Sequence, residues 1–527
     1  MSVGGRMPRA NWLAVLLPFT LLALLRIPEG PRFDAEDYAH YLLHAEAIAE
    51  GRPYTDIGFI STPLNPYIGP VAMPPGLPVL LAPIVALDGV RSPMIPYFML
   101  AWSVGFLALA TAYFRRREPL WLALAVGALS GLQPSVLHLS TQVLSDLPFC
   151  AMIWTVILLT ERESEPWSAA RVLGITLAGV AAISTRLAGI SLIPAVAAFG
   201  ILHFRVQGIR PLVPLLCWIA TFKVTSAILP TTSAMIGEVV FDPMSLWHLD
   251  LYALRTYTFG LLDAQLYPVA NADVNRLWHV LTVGLLLVGA LSAVRAYWRS
   301  FLGIFVFGYS CMLLLLPVSD ARYFYPLIPV IVLLTLRGAV VVLERLRPKW
   351  SPGHALRVTV MAAAVVALMA TVTAWTPPVP NGITTQADVT ELYAALRALP
   401  ARPSPRVMAV RPRILVLETG VRAMALVRGA PDIIVRELCA NAITHVVVGD
   451  LQTLLPETGH LRRALSVYRG SFAEVYRNRS FSVWRFDPAA ADAALDGPPC
   501  APRATSITRG TSIRAAAHVK DLGGRSP

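Results

Sequence analysis

The feature that most constrains this chain is a long succession of apolar runs, separated by turns whose charges alternate in sign. The runs are Asn11–Ile27, Met94–Phe114, Pro119–Leu139, Leu147–Thr160, Val172–Ser184, Leu187–Phe204, Pro211–Leu229, Leu277–Val294, Phe301–Pro317, Phe324–Leu343 and Ala355–Trp375. A helix that crosses a bilayer needs about 20 largely apolar residues, so the runs are near the length of a span. Only 14% of the residues are charged and the mean hydropathy is +0.59, against roughly 25% charged in a soluble globular chain. The expectation is a mainly α, multi-pass membrane protein with about eleven transmembrane helices.

The turns give the orientation. Arg6 and Arg9, Arg115-Arg116-Arg117, Arg205 and Arg210, Arg295 and Arg299, and Arg345, Arg347 and Lys349 fall at alternate ends of the runs. Asp34, Asp146 and Asp320 fall at the others. Cytoplasmic loops carry the excess of Lys and Arg, so the N-terminus is expected inside the inner or plasma membrane and the carboxylates outside. The net charge of +12 follows from this topology and from a basic tail, not from nucleic-acid binding. The first run lacks a small-residue cleavage site and is expected to be a retained helix.

Four stretches stand apart from the spans. Residues 28–76 form a first external loop within the membrane domain, 1–376. In it, Ala35–Glu50 has helical spacing, with Tyr38, Tyr41, Leu42, Ala45, Ile48 and Ala49 on one apolar face. That pattern predicts an amphipathic helix on the membrane surface, N-capped by Asp34, with Tyr38 and Tyr41 as interfacial anchors. Pro230–Asn275 is a second long external loop. In residues 377–487, amphipathic helices at Asp388–Leu399 and Pro431–Ala442, β-rich runs at Arg406–Val410 and Thr444–Val448, and a hairpin-like pair, Ser471–Tyr476 and Phe481–Phe486, predict a small external α/β domain; 488–527, rich in Ala, Pro, Gly, Ser and Arg, predicts a disordered basic tail. Of the five cysteines, Cys150, Cys217 and Cys311 lie in apolar runs, and Cys439 and Cys500 are able to pair in an oxidising compartment.

The ionisable residues that carry chemistry gather on one side. Asp34, Glu36 and Asp37 in the first loop, Asp146, Arg186, and Asp320 with Arg322 and Tyr323 all stand at external helix ends. Singly, each has a plain alternative: a carboxylate at a helix start caps it, and an arginine at a membrane rim snorkels to headgroups. Together they suit transfer from a lipid-linked donor. An external enzyme has no nucleotide sugars, so the activated group arrives on a membrane carrier. Its departing phosphate needs cationic stabilisation, which Arg186 and Arg322 supply, with Lys223 as a further candidate. A carboxylate takes the proton from the attacking hydroxyl; Asp34 and Asp37 are the candidates, with Glu36 beside them. Asp37, His40 and His44 share a helix face. That spacing suits a divalent metal, although no further ligand is evident; otherwise the histidines face solvent or headgroups. A secondary transporter should place its polar residues near the midplane, in repeated broken helices, and neither is found. A non-catalytic scaffold or flippase-like protein is the remaining alternative.

Phe33-Asp34 through Asp37-Tyr38, Ala45 to Tyr54, and Pro74-Pro75-Gly76 resemble the first external loop of the GT-C glycosyltransferases, in the bacterial branch with aminoarabinose transferases and protein O-mannosyltransferase-like enzymes. Ser145-Asp146-Leu147-Pro148-Phe149, Thr185-Arg186-Leu187-Ala188-Gly189 and Ala321-Arg322-Tyr323-Phe324-Tyr325-Pro326-Leu327 resemble later segments of the family, as does an external C-terminal domain. The resemblance implies a polyprenyl-phosphate sugar donor and an envelope glycan, lipid or protein as acceptor. It implies Asp34 first, and Asp37 second, as base or acceptor-binding group. This chain departs from a plain Asp-Glu pair, since its acids are spread as Asp-Ala-Glu-Asp.

Overall fold

The computed structural model describes residues 16–25, 27, 36–62, 73–161, 165–228, 272–315, 321–373, 387–401, 403–449 and 455–495. Asp34, Asp320, Cys500, most of the second external loop and the tail beyond 495 lie outside them. The chain divides into two compact units. The first is Met1–Arg32, His44–Gly51 and Met73–Pro380; the second is Phe33–Leu43, Arg52–Ala72 and Asn381–Pro527. Part of the first loop thus groups with the C-terminal residues rather than with the spans, a partition that differs from a single boundary at 376.

The first unit is helical. Its elements are α1 (Leu17–Leu25), α2 (Glu36–Ala49, from His44 onward), α3 (Gly76–Asp88), α4 (Met94–Arg117), α5 (Leu120–Gly131), α6 (Pro134–Leu139), α7 (Asp146–Thr160), α8 (Ala169–Thr185), α9 (Leu192–Leu202), α10 (Phe204–Gln207), α11 (Leu212–Ile228), α12 (Ala272–Tyr297), α13 (Phe301–Leu315), α14 (Ile328–Leu346) and α15 (Pro352–Thr373). Among the described residues, three helices are long and apolar enough to cross a membrane: Met94–Arg117, Val280–Tyr297 and Arg322–Leu346. Several other apolar helices are shorter. Large apolar side chains such as Leu216, Leu291 and Phe307 stay exposed on their outer faces, as a lipid solvent allows.

Two runs expected to be continuous are broken. Pro119–Leu139 is α5 and α6, because Pro134 has no N–H to continue the ladder and Gln133 before it is extended (φ −63°, ψ 127°). The run from Leu187 opens as a 3-10 turn, Leu187–Ser191, before α9. Another 3-10 turn, Ala321–Leu327, precedes α14. Close approach of α12 and α14 depends on glycine: a Cβ on Gly289 would lie 1.7 Å from the Leu334 carbonyl oxygen, and one on Gly338 1.8 Å from that of Leu285.

The second unit is an α/β layer structure. Strands β1 (Phe59–Ile60), β2 (Arg406–Ala409), β3 (Arg422–Ala425), β4 (His445–Gly449), β5 (Phe472–Arg477) and β6 (Phe481–Phe486) form one sheet in the order β1-β3-β2-β4-β6-β5. The first four are parallel neighbours, and β6 and β5 close the far side as an antiparallel hairpin. Helices α16 (Ala387–Arg397), α17 (Pro412–Thr419), α18 (Pro431–Ala440), α19 (Leu455–Val467) and α20 (Pro488–Ala494) accompany it. Its core holds Met408, Met424, Ile434, Leu438, Val446, Phe472 and Phe486. The predicted hairpin and helices at 388–399 and 431–442 are present; β3, α17 and α19 were not foreseen. The tail expected to start at 488 instead begins as a helix, with Ala491 and Leu495 in the core. Cys439 is disulfide-bonded; its expected partner, Cys500, is outside the described residues.

Candidate active site

In the first unit, three of the short motifs meet. Asp146 opens α7, where a carboxylate is favoured by the helix dipole, and it is almost fully buried. Its Oδ1 accepts from Nη1 of Arg186. Arg186 occupies the extended residue (φ −152°, ψ 133°) between α8 and the following 3-10 turn. Its guanidinium lies 4.8 Å from the ring centroid of Tyr323, a cation–π distance. The Tyr323 backbone is held in turn, since Tyr309 Oη donates to its carbonyl at 2.8 Å. Trp154 Nε1 donates to the Pro326 carbonyl at 3.0 Å.

Glycines make the corner around Arg186 tight. A Cβ on Gly189 would meet the Ile183 backbone at 2.9 Å, and one on Gly76 would meet Thr185 N at 2.7 Å. Gly76 therefore packs on the Ser184–Thr185 end of α8, next to Arg186, and the glycine is needed for space. Arg322 precedes Tyr323 in the same 3-10 turn and is half-buried. Lys223 stands elsewhere, exposed on α11. An apolar groove of about 400 Å³ runs between α12, α13 and α14, lined by Ala290, Val294, Leu302, Phe307, Val330 and Leu333.

A separate charge network lies away from this corner. Glu161 follows α7 at the end opposite Asp146, about 22 Å away at 1.5 Å per residue. It pairs with Arg116 at 2.6 Å and Arg117 at 3.8 Å. Glu118 accepts from Arg337 Nη2 at 2.7 Å and from the Tyr297 hydroxyl. The Arg-rich turn expected to mark topology is thus also a tertiary clamp.

In the second unit, Glu36 and Asp37 of the first loop meet a buried arginine that sequence reasoning missed. Arg413, 2% exposed, sits in the first turn of α17. Its backbone N–H donates to Glu36 Oε1 at 3.1 Å, and its guanidinium lies 4.8 Å from the Phe59 ring centroid. Burial pushes the Glu36 carboxyl above its ordinary value against the pull of Arg413, and burial pulls the Arg413 guanidinium down against Glu36 and Asp37. Nothing in the local sequence around Arg413 marks it, because its partners come from residues more than 350 positions away.

Two expectations for α2 are corrected. The helix forms as expected, but Tyr38, Tyr41, His40 and His44 are all buried in protein, so the tyrosines are not surface anchors and the histidines do not face solvent or headgroups. His40 packs edge-on to Phe59, and His44 Nε2 accepts from the Met73 N–H at 3.2 Å. Periodicity identified the helix but could not say that protein covers its polar side as well. Among the described residues, no three His, Cys, Asp or Glu side chains are grouped to hold a metal ion.

No protein-family model matches the sequence, and no curated relative matches it. Solved structures do. ArnT from Cupriavidus metallidurans in the apo state aligns over 92% of this chain and 98% of its own, at 14% identity and a TM-score of 0.54. The same protein bound to undecaprenyl phosphate aligns over 93% and 100%, at 14% identity and 0.53. The archaeal oligosaccharyltransferase AglB from Archaeoglobus fulgidus, in complex with an inhibitory peptide and a dolichol-phosphate, aligns over 84% and 69%, at 13% identity and 0.53. At such identities the likeness is one of fold.

Proposed function

We propose that this GT-C-fold chain is an integral membrane glycosyltransferase. It moves a sugar from a polyprenyl-phosphate donor to an envelope glycan, lipid or protein on the non-cytoplasmic face. The observation that carries the reading is the Asp146–Arg186–Tyr323 corner, built from three separated motifs within a fold shared with ArnT, one structure of which has undecaprenyl phosphate bound. The apolar groove beside α14 suits an isoprenoid tail.

The chemistry follows from charge development. The acceptor oxygen attacks the anomeric carbon as the bond to the phosphate oxygen breaks, which inverts that centre. The leaving phosphate gains charge, and Arg186, held by Asp146 and Tyr323, offsets it, with Arg322 as a second cation. A first-loop carboxylate, Asp34 or Asp37, takes the acceptor proton. Lys223, exposed on α11, has the weaker claim to a role. Comparison of envelope glycans by mass spectrometry with and without the gene tests the reading: one glycan class should lose one sugar. An unchanged glycan profile, with no transfer from a radiolabelled polyprenyl-phosphate sugar to envelope extract, would refute it.

A further inference from the structure

The first external loop is built into the sheet of the second unit. Phe59 and Ile60 form its edge strand, in parallel register with Ala423 and Met424. The Ala423 N–H donates to the Gly58 carbonyl at 3.1 Å. Gly58 itself has φ +75°, and a Cβ there would meet Val416 Cγ1 of α17 at 2.8 Å, so only glycine fits. Asp56 pairs with Arg422 at 3.1 Å, and buried Thr62 donates to Glu437 Oε1 at 2.7 Å. The same Glu437 Oε1 also accepts from Asn441 Nδ2 at 2.9 Å.

The place that Glu36 occupies has its own logic. From β2 the chain passes through α17 to β3 on one side, and then through α18 to β4 on the other. The strand order therefore reverses between β2 and β4. In open parallel sheets that reversal point, at the carboxyl ends of the strands, is where anionic ligands settle on the N-terminus of the following helix. Here α17 is that helix, and the anion on its N-terminal N–H is the Glu36 carboxylate of the same chain.

We propose that the C-terminal domain is the seat of the first external loop, and that Glu36, docked on the N-terminus of α17 beside Arg413, is a positioning residue that sets the adjacent Asp37 for proton transfer. The domain's anion-binding crevice is filled from within. Arg413 takes part through its buried side chain, which lies over Phe59 at the start of the edge strand. This assignment of roles rests on the transferase reading; the docking itself does not.

The test uses the full chain in lipid nanodiscs. Hydrogen–deuterium exchange is followed over 36–43 and 57–62, and turnover of a polyprenyl-phosphate sugar is measured in parallel. Glu36→Ala and Arg413→Ala should each raise exchange in both segments by about tenfold or more, while β4 and β6 stay protected. Turnover should fall about tenfold or more in both, mainly in kcat. Glu36→Gln keeps an oxygen for the Arg413 N–H; it should restore protection, lose less than about tenfold in turnover and leave the pH–rate profile in place. Asp37→Asn should abolish turnover with protection intact; an active Asp37→Asn leaves Asp34 as the base and overturns the positioning role of Glu36. Unaltered exchange in Glu36→Ala overturns the docking. Glu36→Gln that is protected yet inactive makes Glu36 the proton acceptor and overturns its positioning role. If the wild type fails to use the donor while the exchange pattern is as expected, the transferase reading fails and the docking stands.

Discussion

Arg186 shows how a side chain with an ordinary alternative becomes fixed in one place. An arginine at a membrane rim commonly snorkels to headgroups, but here Asp146 and the Tyr323 ring hold it in one orientation. Arg186→Ala should lower kcat/KM by about 100- to 1000-fold, the loss typical of removing one preorganised charge-stabilising group, with Arg186→Lys recovering part of it; kinetics with a radiolabelled donor check this. Glu36 carries a pH signature. Its carboxyl is pushed above 4.5 chiefly by burial, with Asp37 adding to the rise and Arg413 and Arg411 opposing it. A folded-state value above the unfolded one means the folded chain holds the proton longer. The associated stability is therefore full below pH 4.5 and is lost as pH rises through the folded value. Denaturant midpoints of the second unit should fall over that window in the wild type, and Glu36→Gln should flatten the fall.

At the scale of elements, the helices of the first unit are joined by two devices that hydropathy does not display. One is the glycine contact of α12 with α14. Gly289→Leu should destabilise by about 3 kcal/mol or more, since backbone rather than a flexible side chain blocks the added atoms; thermal unfolding in detergent measures it. The other is the clamp of Glu118 on Arg337 and Tyr297. Glu118→Ala leaves the Arg337 charge without its main partner and should cost about 3–5 kcal/mol, while Glu118→Gln, which keeps a hydrogen-bond acceptor, should cost less. In the same unit the expected span 119–139 divides at Pro134. Its apolar composition was read correctly, and its continuity was not, because composition alone does not weigh a missing N–H against the apolar run around it.

For the whole molecule, orientation is the remaining variable. Single cysteines placed at 88, exposed at the end of α3, and at 322 should react with an impermeant thiol reagent in intact cells, and one at 116 should react only after the membrane is permeabilised. The reverse pattern would place the Arg186 corner on the side that holds nucleotide sugars and remove the reason for a lipid-borne donor. A fold shared with ArnT over 98% of that chain, at 14% identity, accords with the resemblance that the short motifs carry. Asp146, Arg186 and Tyr323 were legible for the same reason, since each sits at the end of an apolar run and helix ends can be read locally.

What the sequence by itself determined is what depends on near neighbours: where the apolar runs fall, which turns are basic or acidic, and the periodicity of α2, α16 and α18. Tertiary structure alone decided that α2 is buried on its polar side and that Phe59–Ile60 completes a distant sheet. It also decided that Glu36 has Arg413 as its partner and that Gly289 faces Gly338. The physical reason is the range of the interactions. Helix formation and membrane partition are summed over adjacent residues, whereas burial, strand pairing and close helix contact depend on groups that only folding brings within a few ångströms of one another.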